Sequence, residues 1–120
     1  MYVQGYVTAV PKKNKNDYIE LAKRIVPLFQ KFGATRVVDA WQDDVPNEGQ
    51  TSFYGAVKAE EDEAVVLSWL EYPSKEIRDK ANREMDQDPE LQEMWKNMPF
   101  DVKRMISGGF ESIMDSKKPV

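Results

Sequence analysis

The sequence predicts a single α+β domain whose strands and helices follow the order β-α-β-β-α-β, with the four strands in one antiparallel sheet. Three observations carry this reading. Residues 2–10, "YVQGYVTAV", alternate with the two-residue period of a strand. In residues 15–32, Tyr18, Leu21, Ala22, Ile25, Phe29 and Phe32 recur at helical spacing and form one apolar stripe. Residues 64–72, "AVVLSWLEY", are almost continuously apolar, as in a strand covered on both faces, which places them centrally in the sheet.

The elements follow in order. Pro11 ends the first strand. Asn14 or Asn16 can cap the helix that follows, and Gly33 stands where a left-handed C-terminal residue belongs. Pro27 lacks the N–H that would bond the Lys23 carbonyl and is expected to kink that helix. Residues 35–43, "TRVVDAWQD", read as the second strand, and "DDVPNEGQ" as a turn-rich loop. In "TSFYGAVKA", Thr51 is expected to cap a short helix with Phe53, Ala56 and Val57 inward. Pro73 stops the third strand, and Ser74 caps a helix over 75–87 with Ile77, Ala81 and Met85 inward. Asp88-Pro89 starts a further short helix carrying Leu91, Met94 and Trp95. "MPFD" is a turn, and residues 104–112 form the last strand. The domain is expected to span residues 1–114, with 115–120 a loose tail. This order, with short extra helices, is the split βαβ, ferredoxin-like pattern.

Both main helices should cover one face of the sheet. The small aliphatic set Val3, Gly5, Val7, Ala9, Val38, Ala40, Val66, Leu70, Ile106 and Gly108 is assigned to that face. The opposite set is Tyr2, Gln4, Tyr6, Asp39, Trp41, Leu67, Trp69, Glu71, Met105 and Ser107, too aromatic to lie bare in water. One chain offers one sheet, so a second copy is expected to supply the cover, pairing as a dimeric α/β barrel. Within the unusual pair Gly108-Gly109, Gly108 should let a helix lie close and Gly109 should make room on the barrel side, unless the pair is a bulge that ends the strand.

Composition narrows the chemistry. The chain has 41% hydrophobic and 32% charged residues, ordinary for a soluble domain, and no apolar run of the roughly 20 residues that span a bilayer. The start lacks a basic region ahead of an apolar stretch, so no secretory signal is expected. With 17 Lys and Arg mixed among 21 Asp and Glu, no concentrated basic face exists for nucleic acid. Without Cys or His there is no thiolate nucleophile, no His base and no Cys or His metal site. No phosphate-cradling glycine motif occurs. No cofactor and no metal are predicted, and the absence of Cys agrees with a cytoplasmic protein.

Four stretches resemble a known family: "MYVQGYV", "GATRVVDAWQDDVP", "VVLSWLEYPSKEIRD" and "MPFDVKRMISGGFE". They occur in the right order over residues 2–114 and are similar to the uncharacterised bacterial YbaA-like proteins, a domain-of-unknown-function family. The resemblance implies a ferredoxin-like fold in the dimeric α/β-barrel superfamily and small cytoplasmic proteins. It supplies no catalytic residues to carry over. The wider superfamily holds cofactor-independent monooxygenases, haem-degrading enzymes and small-molecule isomerases; the haem degraders usually rely on a His ligand, which this chain lacks.

The candidate pocket is Tyr6, Asp39, Trp41, Trp69, Glu71 and Ser107. Tryptophans near carboxylates can hold a flat or cationic ligand, and a carboxylate desolvated by aromatics can serve as a general base. The competing reading is interface packing, with Asp39 and Glu71 paired to Arg36, Arg104 or a partner's lysine. Asp43 and Asp44 in "DDVP" point opposite ways on a strand and read as a turn rather than a metal site. Lys103 and Arg104 in "FDVKR" read as a structural ion pair ahead of an anion clamp. The expected function is binding or transforming a small molecule in a pocket between helices and barrel sheet, catalytic or not. The alternative is a non-catalytic dimeric module for stress or protein interaction.

Overall fold

β1 (Tyr2–Pro11) is the strand around which the sheet is built: it pairs antiparallel with β3 (Glu63–Tyr72) along its whole length and with β4 (Ile106–Glu111) on its other side. β2 (Arg36–Trp41) pairs with β3 at the far edge, so the sheet order is β2-β3-β1-β4, as the β-α-β-β-α-β pattern requires. The computed structural model describes residues 1–117; the tail expected over 115–120 therefore lies partly outside the described residues.

The helices start and stop where their caps dictate. α1 (Lys15–Lys31) runs on through Pro27 and ends at Gly33, whose φ of +123° favours glycine. Asn14 precedes α1 without capping it through its side chain; its amide instead donates to the Pro99 carbonyl at 3.0 Å. α2 (Phe53–Ala56) is capped by Ser52, whose Oγ accepts from Gly55 N at 2.9 Å, rather than by Thr51, and Phe53 and Ala56 face outward while Val57 is buried. α3 (Lys75–Asp86) is capped by Ser74 and buries Ala81. α4 (Pro89–Trp95) begins with Pro89 at its first turn, Asp88 Oδ1 accepting from Leu91 N at 3.0 Å.

β4 is shorter than the expected 104–112. Residues Val102–Arg104 form a 3-10 turn instead, and Met105 precedes the strand. An ion pair accounts for this. Arg104 places both terminal nitrogens 2.7 Å from the two oxygens of buried Glu63, Nε 3.0 Å from Asp101, and donates to the Lys58 carbonyl at 2.8 Å. Arg104 is thus committed to holding the chain before β4 against the start of β3, the structural role expected for it.

Pairing and burial fix the two faces, and they correct the assignment made for three strands. Residues opposite one another across a ladder share a face. Tyr6 lies opposite both Ser68 and Ser107, and Asp39 lies opposite Ser68, so these four form one row across all four strands. Tyr2, Gln4 and Thr8 are buried beneath the helices, together with Val66, Leu70 and Tyr72. The helix face therefore carries Tyr2, Gln4, Tyr6, Thr8, Asp39, Trp41 and Ser107. The other face carries Val3, Gly5, Val7, Val38, Leu67, Trp69, Glu71, Ile106 and Phe110. Only β3 has the orientation expected for it. The physical reason lies in depth. Long side chains with polar tips fit the thick helix layer, where Arg78 reaches Gln4 Oε1 at 3.1 Å and the Tyr2 hydroxyl at 2.9 Å. On β1 and β2 the aliphatic and small residues Val3, Gly5, Val7 and Val38 are left to the opposite side.

That opposite face is covered at one end only. Ala9 and Val65 pack beneath Val57, Tyr54, Val45 and Ala59 of the β2–β3 connection. Elsewhere it is bare, with Leu67 43%, Ile106 45% and Phe110 61% exposed.

The glycine pair is also reversed. β4 continues through it, so it does not end the strand. Gly109 faces the helix layer, where a Cβ would collide with the Tyr2 hydroxyl and stand 2.8 Å from Arg78 Nη2. Gly108 lies on the bare face, where a Cβ would meet the Phe110 ring at an ordinary 3.5 Å. Gly109→Val is expected to cost about 1–3 kcal/mol by prising Arg78 from Tyr2, whereas Gly108→Ala should leave the thermal midpoint of folding nearly unchanged. Equal midpoints for the two variants would contradict this packing.

The Glu63 ion pair gives a pH dependence. Hydrogen bonds from Arg104 hold the Glu63 carboxyl below the usual carboxylate range. A carboxylate with a depressed folded pKa contributes stability that is present above its unfolded value of about 4.3 and is lost as pH falls through the folded one. Glu63→Gln should cost about 2–3 kcal/mol at pH 7, and the gap to the unsubstituted protein should narrow progressively in melts taken as pH falls below about 4.

Candidate functional site

A cavity of about 470 Å³ lies between the helices and the sheet. Tyr6, Thr8, Val37, Asp39, Ser68 and Leu70 form its floor. α1 walls one side with Tyr18, Leu21, Ala22, Ile25 and Phe29, and α3 and α4 wall the other with Asn82, Met85, Asp86, Leu91, Gln92 and Trp95. Met98, Phe100 and Met105 come from the connection to β4. α1 reaches this position because its apolar stripe packs inward: Ile25, Leu28, Phe29 and Phe32 meet Leu91 and Met94 of α4. The lining is mostly apolar, with few polar groups, the usual make-up of a small-molecule site.

Two of the polar groups, Tyr18 and Ser68, converge on Asp39. Its Oδ1 accepts a hydrogen bond from the Tyr18 hydroxyl at 2.8 Å and another from Ser68 Oγ at 2.6 Å. Among the described residues its Oδ2 receives no hydrogen bond, and no Lys or Arg lies within ion-pair distance of the carboxylate. One oxygen is thus held in place and the other is free. Tyr18 is itself fixed by edge contacts with Trp41, at 6.5 Å between ring centroids, and with Phe100 at 5.9 Å. Burial, and then the Asp39 carboxylate, push the Tyr18 phenol well above its usual range. It therefore stays protonated at every physiological pH and remains a donor to Asp39. Burial pushes the Tyr6 phenol up to about 12, with the same consequence.

The six residues expected to share a pocket are divided by the sheet. Tyr6 and Asp39 line the cavity. Trp41 and Ser107 share their face without lining it; Trp41 stands beside the cavity in an adjoining groove, and Ser107 ends the polar row on β4. Trp69 and Glu71 lie on the opposite face, where Trp69 Nε1 donates to Glu71 Oε2 at 3.0 Å and Arg36 approaches the same oxygen at 3.7 Å. Glu71 is thus paired, as the packing reading anticipated, and Asp39 is not. Sequence reasoning missed Tyr18 and Ser68. Tyr18 was counted as part of an apolar stripe although it carries the stripe's one hydroxyl. Ser68 is the only uncharged polar residue in "AVVLSWLEY", and that interruption was the available signal. Among the described residues no group of three or more His, Cys, Asp or Glu is placed to hold a metal ion, and no helix is long and apolar enough to cross a membrane.

Residues 1–102 match the model of a family described as "Protein of unknown function (DUF1428)". The chain belongs to this family. It is 57% identical over 114 residues to the uncharacterized protein YbaA of Escherichia coli strain K12, covering 95% of this chain and 97% of that one, and equally so to YbaA of Shigella flexneri. Two solved structures share the fold. A dimeric ferredoxin-like protein from an uncultured marine organism superposes with a TM-score of 0.66 at 11% identity, covering 96% of this chain and 97% of the other. An uncharacterized NIPSNAP domain protein from Burkholderia xenovorans does so with a TM-score of 0.57 at 11% identity over the whole of both chains. At that identity they establish the ferredoxin-like α+β fold of this DUF1428 protein and nothing further.

Asparagine retains the acceptor that Tyr18 and Ser68 use. Asp39→Asn is therefore expected to keep the thermal midpoint within a few degrees. Asp39→Ala strands the buried Ser68 hydroxyl and should cost about 1–2 kcal/mol. Calorimetry on the two variants checks this; a large loss in Asp39→Asn would mean that the charge is structural.

Proposed function

We propose that this protein is a homodimer, built by two sheets meeting face to face, in which each protomer binds a small organic molecule in the cavity beneath its helices. The observation that carries the ligand reading is an apolar cavity of about 470 Å³ with the exposed Asp39 carboxylate in its lining, Oδ1 accepting from Tyr18 and Ser68 and Oδ2 receiving no hydrogen bond among the described residues. The volume falls within the range of about 300–1,000 Å³ usual for small-molecule sites. Binding is assigned to this site; catalysis would require a substrate whose proton Asp39 Oδ2 can reach.

The dimer reading is supported by the bare face. Leu67, Trp69, Ile106 and Phe110 form a contiguous apolar surface with Val3, Val7 and Val38, and soluble chains cover such surfaces. A structural neighbour with the same fold is described as dimeric. A cytoplasmic location is proposed from the absence of Cys.

Light scattering should give twice the 13.9 kDa chain mass, and Leu67→Glu should give the single mass without unfolding. For the site, the methyl resonances of Met85, Met98 and Met105 should shift on titration with naphthalene-sized fragments. Ala22→Phe, which fills the cavity from α1, should abolish those shifts while the protein stays folded. Unmoved methionine resonances in the unsubstituted protein would overturn the binding reading, and a monomer in solution would overturn the dimer.

A further inference from the structure

We infer that the molecule this cavity takes is an organic cation, an amine carried on an aromatic or branched apolar body, with its ammonium group on Asp39 Oδ2. This rests on the binding reading above and adds the charge class of the ligand.

Three observations carry it. The first is the charge of the lining. Of the 20 residues around the cavity, two are carboxylates, Asp39 and Asp86, and none is Lys, Arg or His. Neither carboxylate has an ion-pair partner within 4.0 Å among the described residues. An anionic ligand would meet two carboxylates and no cationic side chain in the lining, Arg104 being held by Glu63 and Asp101 and Arg78 by Gln4 and Tyr2.

The second is the character of the rest of the lining. Tyr6, Tyr18, Phe29, Trp95 and Phe100 are aromatic, and Met85, Met98 and Met105 are polarizable. Aromatic faces attract cations, and methionine adapts to irregular apolar bodies. The neighbouring groove already shows this chemistry, with Lys15 Nζ over the Trp41 ring at 5.3 Å from its centroid. Lys15 and Lys23 line that groove, which shares Asp39 and Tyr18 with the cavity, yet neither pairs with Asp39.

The third is direction. Tyr18 and Ser68 both donate to Oδ1, so the carboxylate is oriented and has acceptor capacity left only for a donor. A neutral alcohol can use that acceptor too. An ammonium gains the charge-assisted bond as well, which is about twice as strong as a neutral one.

The test uses three ligands of one shape on the intact protein at pH 7.5: 1-naphthylmethylamine, 1-naphthylmethanol and 1-naphthoate, followed by the methionine methyl resonances. The amine should bind at least 10-fold more tightly than the alcohol, the carboxylate should bind most weakly, and added salt should erode the amine's advantage. In Asp39→Asn the preference for the amine over the alcohol should be lost. If the alcohol binds as well as the amine in the unsubstituted protein, or if Asp39→Asn keeps the preference, the charge assignment is overturned while the cavity stands as a neutral-ligand site. If none of the three moves the methionine resonances, the assignment falls together with the binding reading on which it rests.

Discussion

The register of β1 against its two neighbours is the constraint on which the rest of this structure depends. Each strand alternates, but alternation only says which side chains travel together. The pairing of Tyr6 with Ser68 on one side and Ser107 on the other sends Tyr2, Gln4, Tyr6 and Thr8 under the helices as a set. A slip of one residue would exchange them all for Val3, Gly5, Val7 and Ala9. The cavity floor, the Arg78 cluster over Tyr2 and the apolar opposite face all follow from that single phase. Arg78 in turn makes the phase costly to change, because its bonds to Gln4 and Tyr2 have no counterpart on the other side of the sheet.

The same constraint explains what the sequence could and could not disclose. Element order, both main helices, the Ser74 and Asp88 caps and the glycine after α1 were legible because each rests on neighbouring residues. So was the central place of β3, which its nearly continuous apolar run signalled. The face assignment of β1, β2 and β4 was not, because the phase of one strand against the next is a property of the ladder. The inference that aromatic residues mark the exposed side failed on Tyr2, which is buried, and on Tyr6, which is partly buried beside it, because both turn toward the helix layer. Two of the six candidate residues, Tyr6 and Asp39, reach the cavity together because they sit in one row through Ser68.

The contrast between Asp39 and Glu71 separates two uses of a strand carboxylate. Glu71 is satisfied by Trp69 and Arg36 on a flat surface and adds little beyond holding that tryptophan in place. Asp39 is given only neutral donors, and both on one oxygen. Because Tyr18 belongs to α1 and Ser68 to β3, the carboxylate also ties the helix layer to the sheet at the cavity mouth. Anything that draws Asp39 toward a ligand is felt by α1.

The β2–β3 connection, which packs Val57 and Tyr54 over Ala9 and Val65, has a bearing on assembly that its position does not advertise. By roofing one end of the otherwise bare face, it leaves a partner only the remaining part, toward Val3, Trp69 and Phe110. In the proposed dimer, two such molecules would meet off-centre, each sheet shifted along the other until the roofs clear. Lengthening or trimming the segment around residues 45–59 would move that stop. The geometry of the proposed pair would in this way be set by a stretch of chain that acts as a spacer.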